Sequence, residues 1–110
     1  MFKVSLFVGT GTDKNGNVLF KHPIQAALSA VSATLSSRYG GVTIYKHRGA
    51  WFDAGNRLVS ERGYTLVTFV DAADREAALA DVKPVAEFLR DRLNQECVLV
   101  SVEGSQIEFV

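Results

Sequence analysis

The sequence predicts one α+β domain over residues 1–110, in which two helices cover one face of an antiparallel sheet. The first observation is that apolar and polar residues alternate in several short segments, as they do in half-buried strands. The second is that two longer segments repeat apolar residues at helical spacing. The resulting order is strand, helix, strand, strand, helix, strand, which is the split βαβ pattern of a ferredoxin-like fold.

The first strand and the first helix are predicted from the N-terminal forty residues. Positions 2–8 alternate, and the turn-rich segment 9–17 follows, where Asn15-Gly16 favours a tight turn. Pro23 suits the first position of a helix, and Gly40 suits a left-handed cap at its end. The predicted apolar stripe of this helix is Ile24, Leu28, Val31, Leu35 and Tyr39.

Three more strands are predicted at 42–47, 64–70 and 97–102 from alternation and from β-branched and aromatic content. An arm interrupted by glycines and carrying Trp51 joins the first two of these strands. The last four residues, 107–110, are predicted to return as a short edge strand.

The second helix is predicted between the third and fourth strands, with Asp71 or Asp74 as its cap. Pro84 lies inside the helical pattern, where it removes a backbone donor, so we expect a kink or a restart of the helix there. The predicted apolar stripe is Leu79, Val82, Ala86, Leu89 and Leu93.

The face of the sheet away from the helices is predicted to be mixed in character. Its predicted members are Ser5, Phe7, Thr43, Tyr45, His47, Thr65, Val67, Phe69, Leu99 and Ser101. This set is too apolar to face water and too polar for a sealed core, so we expect a homo-oligomer, ligand binding, or both. The alternative is that the arm and the C-terminal hairpin fold back over this face.

Composition limits the classes of partner. Twelve basic residues balance twelve acidic ones, so no overall field attracts a nucleic-acid polymer or an anionic membrane. The apolar runs are too short to span a membrane, and the N-terminus leads directly into a strand pattern rather than a signal peptide. The single cysteine excludes an internal disulfide. These features predict a cytoplasmic protein.

No catalytic or metal-binding pattern stands out in the sequence. The two histidines and Cys97 are scattered without the spacing of metal ligands, so neither a metal nor a cofactor is predicted. Cys97 is interpreted as a small packed residue, and Glu61 as a solvated or paired residue of the arm. The loop 9–12 lacks the lysine of a phosphate-binding loop and is interpreted as a flexible turn.

Arginines, aromatics and amides form the most distinctive set of polar residues. Its members are Arg48, Trp51, Arg57, Arg62 and Tyr64 in the arm and Arg90, Arg92, Asn94, Gln95 and Glu96 at the end of the second helix. Arginine pairs with phosphate through two donors, and aromatic rings stack on bases. The set therefore suits a small phosphorylated nucleotide, although composition alone favours ordinary surface ion pairs.

Several segments carry a resemblance to known families. They are K-V-S-L-F-V-G from Lys3, G-V-T-I-Y from Gly41, G-A-W from Gly49, E-R-G-Y-T-L from Glu61 and N-Q-E-C-V-L-V from Asn94. In these segments the chain resembles a phage family of small Thoeris anti-defence proteins that act as cyclic ADP-ribose sponges. It is also similar to an uncharacterised bacterial domain family with G-x-T, G-x-W and Q-E-x-V landmarks.

The sponge resemblance implies a non-enzymatic oligomer that sequesters a small cyclic nucleotide signal in pockets shared between subunits, and so counters host antiviral signalling in the host cytoplasm. It also implies a pocket arginine on the second helix, matched by Arg90 or Arg92, and an aromatic from the sheet region, matched by Tyr64. The full hypothetical site is Arg90 and Arg92 for phosphates, Tyr64 and Trp51 for stacking, Asn94 and Gln95 for ribose or base, with Arg57 and His47 nearby.

Two alternatives stay open at this point. The first is that the same cleft belongs to an enzyme that hydrolyses or isomerises a nucleotide through Glu61, His47 or Cys97. The second is that the sheet face serves only for assembly, without any ligand.

Overall fold

The computed structural model describes residues 1–104, which form four strands and two helices. The elements are β1 (Phe2–Gly9), α1 (Lys21–Tyr39), β2 (Thr43–Phe52), β3 (Leu58–Val70), α2 (Arg75–Arg92) and β4 (Leu99–Gly104). The strands form one antiparallel sheet in the order β2-β3-β1-β4. The predicted α+β, ferredoxin-like arrangement is confirmed. The predicted edge strand at 107–110 lies outside the described residues.

The hydrophobic core lies between the helices and one face of the sheet. Leu6 of β1 pairs with Leu66 of β3, and both side chains are completely or almost completely buried. Four of the five predicted residues of each helical stripe are also buried. The exception on α2 is Leu79, which is 43% exposed, while the neighbouring Ala78 is buried in its place. Alternation in the strands and helical spacing therefore identified most of the core.

The helix ends follow the predicted capping chemistry. Gly40 adopts a left-handed conformation with φ of 86°, and its N–H donates to the carbonyl of Ser36. The carboxylate of Asp74 accepts a hydrogen bond of 2.8 Å from the N–H of Ala77 at the start of α2. α1 begins at Lys21, two residues earlier than Pro23 suggested.

α2 continues through Pro84, so the expected restart of the helix does not occur. Proline removes one backbone hydrogen bond, but packing on the sheet compensates for that loss. Val82, Val85 and Ala86 flank Pro84 and are all buried. The buried side of the helix is therefore continuous across the proline.

The opposite face of the sheet carries the mixed set of residues that the sequence predicted. The strand pairs Ser5–Val67, Phe7–Thr65 and Phe7–Leu99 place these side chains on one face, which we call the open face. The arm does not fold back over it, because β2 and β3 continue as a paired hairpin to Phe52 and Leu58. Neither α1 nor α2 has a stretch that is long and apolar enough to cross a membrane.

Candidate ligand-binding groove

A groove of about 880 Å³ lies on the open face, at the end of β1 and the beginning of β4. Its volume is within the range of small-molecule sites. Its apolar wall comes from Phe7, Leu99, Trp51 and Val59, which belong to all four strands. The loop between β1 and α1 and the segment before β4 supply the polar side.

Two paired glycines lie beside polar side chains of the groove, and only the first of them lines it. Gly9 and Gly63 face each other across the β1–β3 pair. A Cβ atom on Gly9 would lie 1.9 Å from the Oε1 atom of Glu61, so the carboxylate of Glu61 rests directly over this glycine. A Cβ atom on Gly63 would lie 2.6 Å from the carbonyl oxygen of Val8 and 2.9 Å from the ring of His47. The absence of side chains at these two positions lets Glu61 and His47 lie flat against the sheet.

His47 is the most unusual polar group of the groove. It pairs with Gly63 in the β2–β3 ladder, and its ring contacts that of Phe7 edge-on with centroids 6.3 Å apart. Its Nε2 atom is buried, yet it has no hydrogen-bond partner among residues 1–104. An unsatisfied buried polar atom costs about 1–3 kcal/mol, so a ligand that bonds to it would gain binding energy.

The loop between β1 and α1 forms a wall that is attached to the end of α2. The N–H of Lys14 donates to the carbonyl of Asn94 over 2.9 Å, and the side-chain amide of Asn94 donates to Asp13 over 3.1 Å. The side-chain amide of Gln95 donates to the carbonyl of Thr12 over 3.0 Å. Three hydrogen bonds therefore hold residues 12–14 of the loop against residues 94–95, which follow α2. The loop is not the flexible turn that the sequence suggested.

The predicted turn at Asn15-Gly16 is present within this loop. Gly16 has φ of 82° and its N–H donates to the carbonyl of Asp13, while Thr12 and Val18 form a short antiparallel bridge. The carboxylate of Asp13 accepts further bonds from within the loop. The backbone N–H of Asn17 first, and then the Asn94 amide, lower the pKa of this carboxyl.

The charges along the groove nearly cancel. Three carboxylates line it, those of Asp13, Glu61 and Glu96, against the cationic side chains of Lys14 and Arg62. A site for a pyrophosphate group normally presents a surplus of arginine or lysine. This groove is better matched to a ligand of low net charge.

Three side chains with potential for chemistry line the same groove. They are the carboxylate of Glu61, the imidazole of His47 and the thiol of Cys97. Cys97 is exposed, which corrects its interpretation as a packed residue: β4 begins only at Leu99, so Cys97 lies in the connection before the strand. No group of three or more metal-ligating side chains gathers anywhere in residues 1–104.

A second hollow, of about 530 Å³, lies at the C-terminal end of α2. It is lined by Lys14, Arg90, Asp91, Asn94, Gln95 and Glu96. The guanidinium of Arg90 is 2.9 Å from the carboxylate of Asp91, and this hydrogen bond lowers the pKa of Asp91. We call this feature the polar hollow.

The structure places some of the predicted site residues at these two cavities. His47, Trp51 and Gln95 line the groove, and Arg90, Asn94 and Gln95 line the polar hollow. Gln95 thus belongs to both.

The other three predicted site residues line neither cavity. The guanidinium carbon of Arg92 lies 5.7 Å from the centre of the Phe88 ring on the outside of α2. Arg57 pairs with Asp53 over 3.3 Å at the exposed tip of the β2–β3 hairpin. Tyr64 is half-buried against the hydrophobic core, on the helix-covered side of the sheet.

Four residues that help to build the groove were outside the predicted ligand-binding set. Phe7 was predicted as a member of the mixed sheet face, Glu61 was named for the enzyme alternative, and Gly9 and Lys14 were given no role. A signal for two of them was present. Phe7 shares its strand face with Ser5, and Glu61 has the same parity along β3 as the open-face residues Thr65 and Val67. The contributions of Gly9 and Lys14 depend on contacts between distant segments.

Comparison with known proteins identifies solved structures of similar fold but no matching family model. No family model matches the sequence, and no curated protein matches it. A solved phage SAM lyase in complex with S-methyl-5'-thioadenosine is similar, with a TM-score of 0.64 and 18% identity over 93% of this chain and 79% of that one. The apo state of a phage SAM lyase gives a TM-score of 0.65 and 22% identity over 93% of this chain and 78% of that one. The chain therefore shares its fold with these lyase structures.

Proposed function

We propose that the groove binds a small adenine nucleoside of low net charge, of the class of S-adenosylmethionine or S-methyl-5'-thioadenosine. The observation that carries this proposal is the composition of the groove, which combines an aromatic wall, a buried imidazole nitrogen without a partner and nearly cancelling charges. The fold neighbour that holds S-methyl-5'-thioadenosine supports the same class of ligand.

Each part of an adenine nucleoside finds a suitable chemical group in the groove. Trp51 and Phe7 offer rings on which a purine can stack. The Nε2 atom of His47 is buried without a partner within residues 1–104, and a turn of the ring would present this hydrogen-bonding position to the ligand. The carboxylate of Glu61 is an acceptor for which the two hydroxyls of a ribose are natural donors.

A cyclic ADP-ribose sponge is the second candidate, and it is supported by the sequence resemblance. Such a ligand carries a pyrophosphate, which requires cationic partners. The groove offers only Lys14 and Arg62 against three carboxylates, and Arg90 lies beside it in the polar hollow with Asp91 as its partner. Capture of a cyclic nucleotide by a phage-encoded binder would therefore have to use both cavities.

Isothermal titration with S-methyl-5'-thioadenosine, S-adenosylmethionine and cyclic ADP-ribose isomers tests both candidates. We expect the uncharged nucleoside to bind and Trp51→Ala to weaken it about tenfold, because a lost stacking partner costs about 1–3 kcal/mol. Lys83→Ala, which removes an exposed charge of α2 outside both cavities, is the matched control. If neither S-methyl-5'-thioadenosine nor S-adenosylmethionine binds, the proposal is refuted. If a cyclic ADP-ribose isomer binds and these two compounds do not, the sponge is favoured.

A processing enzyme is a further candidate, favoured by the presence of Glu61, His47 and Cys97 along one groove. If S-adenosylmethionine is cleaved, mass spectrometry will detect S-methyl-5'-thioadenosine accumulating with time. Glu61→Gln would then lower the rate by about a hundredfold or more if the carboxylate handles a proton. Recovery of the ligand intact after prolonged incubation would assign the protein to binding alone.

We also propose that the open face mediates homo-oligomer formation. Tyr45, Trp51 and Leu99 on this face are 57%, 47% and 63% exposed, and an uncovered sheet face that presents several large apolar side chains suits association with a second copy. Light scattering should give a mass of at least two chains, reduced to one by Tyr45→Glu. A monomeric wild-type protein at high concentration would exclude this proposal.

A further inference from the structure

The groove and the polar hollow are neighbours with a common border. Lys14, Gln95 and Glu96 line both of them. The two cavities therefore adjoin each other at these residues, so a ligand seated in the groove has the charges of the polar hollow next to it.

The polar hollow presents charges of both signs. Arg90 and Lys14 contribute positive charge, and Asp91 and Glu96 contribute negative charge. Arg90 directs its Nε and one terminal nitrogen at Asp91, over 2.9 and 3.4 Å, which leaves further donors of its guanidinium free. Within residues 1–104, neither Lys14 nor Glu96 forms an ion pair. The hollow therefore has an available cation and an available anion.

The backbone that carries these charges is held in place. The N–H of Lys14 donates to the carbonyl of Asn94, and the N–H of Gln95 donates to the carbonyl of Arg90 over 2.8 Å. These bonds fix the base of the Lys14 side chain relative to the end of α2. The opposite charges are thus displayed from a rigid frame, although the side chains themselves reach solvent.

From this arrangement we propose that the polar hollow binds the α-amino-carboxylate end of an adenosyl ligand whose nucleoside lies in the groove. The ligand carboxylate is held by Lys14 and Arg90, and its ammonium by Glu96. The inference rests on the proposed nucleoside groove and adds which end of the ligand lies where. Binding in the polar hollow makes the protein selective for adenosyl amino acids over nucleosides that lack the amino-acid end.

The test compares S-adenosylhomocysteine with S-methyl-5'-thioadenosine by titration calorimetry. Both are thioether nucleosides without a sulfonium charge, and only the first has an amino-acid end. For the wild type we expect S-adenosylhomocysteine to bind about tenfold more tightly. Arg90 lines the polar hollow and not the groove, so Arg90→Ala should weaken S-adenosylhomocysteine about fivefold and leave S-methyl-5'-thioadenosine within about twofold. Lys83→Ala is the control for loss of a cation elsewhere on α2.

The possible outcomes separate this inference from the function on which it rests. Equal affinity of the two compounds, or equal weakening of both by Arg90→Ala, would overturn the amino-acid site and leave the nucleoside groove standing. Absence of binding by both compounds would overturn the proposed function and this inference together. Salt gives an independent readout, because raising it should weaken S-adenosylhomocysteine more than S-methyl-5'-thioadenosine.

Discussion

The two faces of the sheet are built from the same strands but have different tasks. On the helix-covered face, Val4, Leu6 and Leu66 are at most 1% exposed and pack into a continuous core. On the open face, Phe7 and Leu99 stand beside Glu61 and His47 around a groove. From this contrast we infer that stability is concentrated on the covered side of the sheet. The open side can therefore carry a buried polar atom without a partner within residues 1–104, the Nε2 atom of His47.

The strongest test of this division compares two leucines, one on each face. Leu66→Ala should lower the free energy of unfolding by about 3 kcal/mol, because it removes a buried side chain and leaves a cavity. Leu99→Ala should lower it by less than about 1 kcal/mol, since Leu99 is 63% exposed. Urea denaturation of both variants measures the difference. Equal losses would show that the open face also supports the fold.

A second test uses two glycines on the open face. Gly63→Ala should lower the free energy of unfolding by about 2 kcal/mol, because the added Cβ would lie 2.6 Å from the carbonyl oxygen of Val8 and 2.9 Å from the ring of His47. Gly49→Ala, whose Cβ would have no neighbour within 4 Å, should stay within about 0.5 kcal/mol of the wild type.

The NMR signals of the His47 ring provide a second readout for these glycine variants. They should shift in Gly63→Ala and remain unchanged in Gly49→Ala. A Gly63→Ala protein with wild-type stability and an unmoved His47 ring would contradict the close contact between Gly63 and His47.

The smallest expected effect concerns a polar contact between the helices on the covered side. The hydroxyl of Tyr39 donates to the carboxylate of Asp81, which also pairs with Arg38. Burial first, and then the hydrogen bond to Asp81, raise the pKa of Tyr39 to about 12. Tyr39→Phe should lower the free energy of unfolding at neutral pH by about 1 kcal/mol.

The pH dependence of this contact has a definite sign. The pKa of Tyr39 is higher in the folded state than its unfolded value of about 10. The protonated hydroxyl therefore contributes fully to the free energy of unfolding below pH 10, and this contribution is lost as the pH rises toward 12. Urea denaturation at several pH values should therefore show that the free energy of unfolding falls more steeply between pH 10 and 12 for the wild type than for Tyr39→Phe. Parallel declines would exclude a role for the Tyr39 proton.

The fold was largely predictable because periodicity reports burial directly. Alternation assigned the strands and both faces of the sheet, and the cap residues Gly40 and Asp74 were recognised from their local chemistry. The continuity of α2 at Pro84 was not predictable, because it depends on packing against the sheet rather than on the local hydrogen bond.

The groove was less predictable because its parts are distant in sequence. The pairing of Gly9 with Gly63, and the bonds from Lys14 and Gln95 across to neighbouring segments, follow from register and tertiary contacts. Strand parity could have placed Tyr64 beside Leu66 on the covered face, whereas the sequence analysis gave it a stacking role in the ligand site. The arginines at the end of α2 were recognised as a polar set. The structure shows that Arg90 pairs with Asp91 in the polar hollow, whereas Arg92 lies over the ring of Phe88.

The attachment of the β1–α1 loop to the end of α2 has a consequence for the speed and strength of recognition. Thr12, Asp13 and Lys14 lose their conformational freedom when the chain folds, through bonds to Asn94 and Gln95. A small molecule that arrives later meets a wall already in its final shape. Its affinity is then not reduced by the entropy of ordering that segment, and its capture need not wait for a slow closing motion.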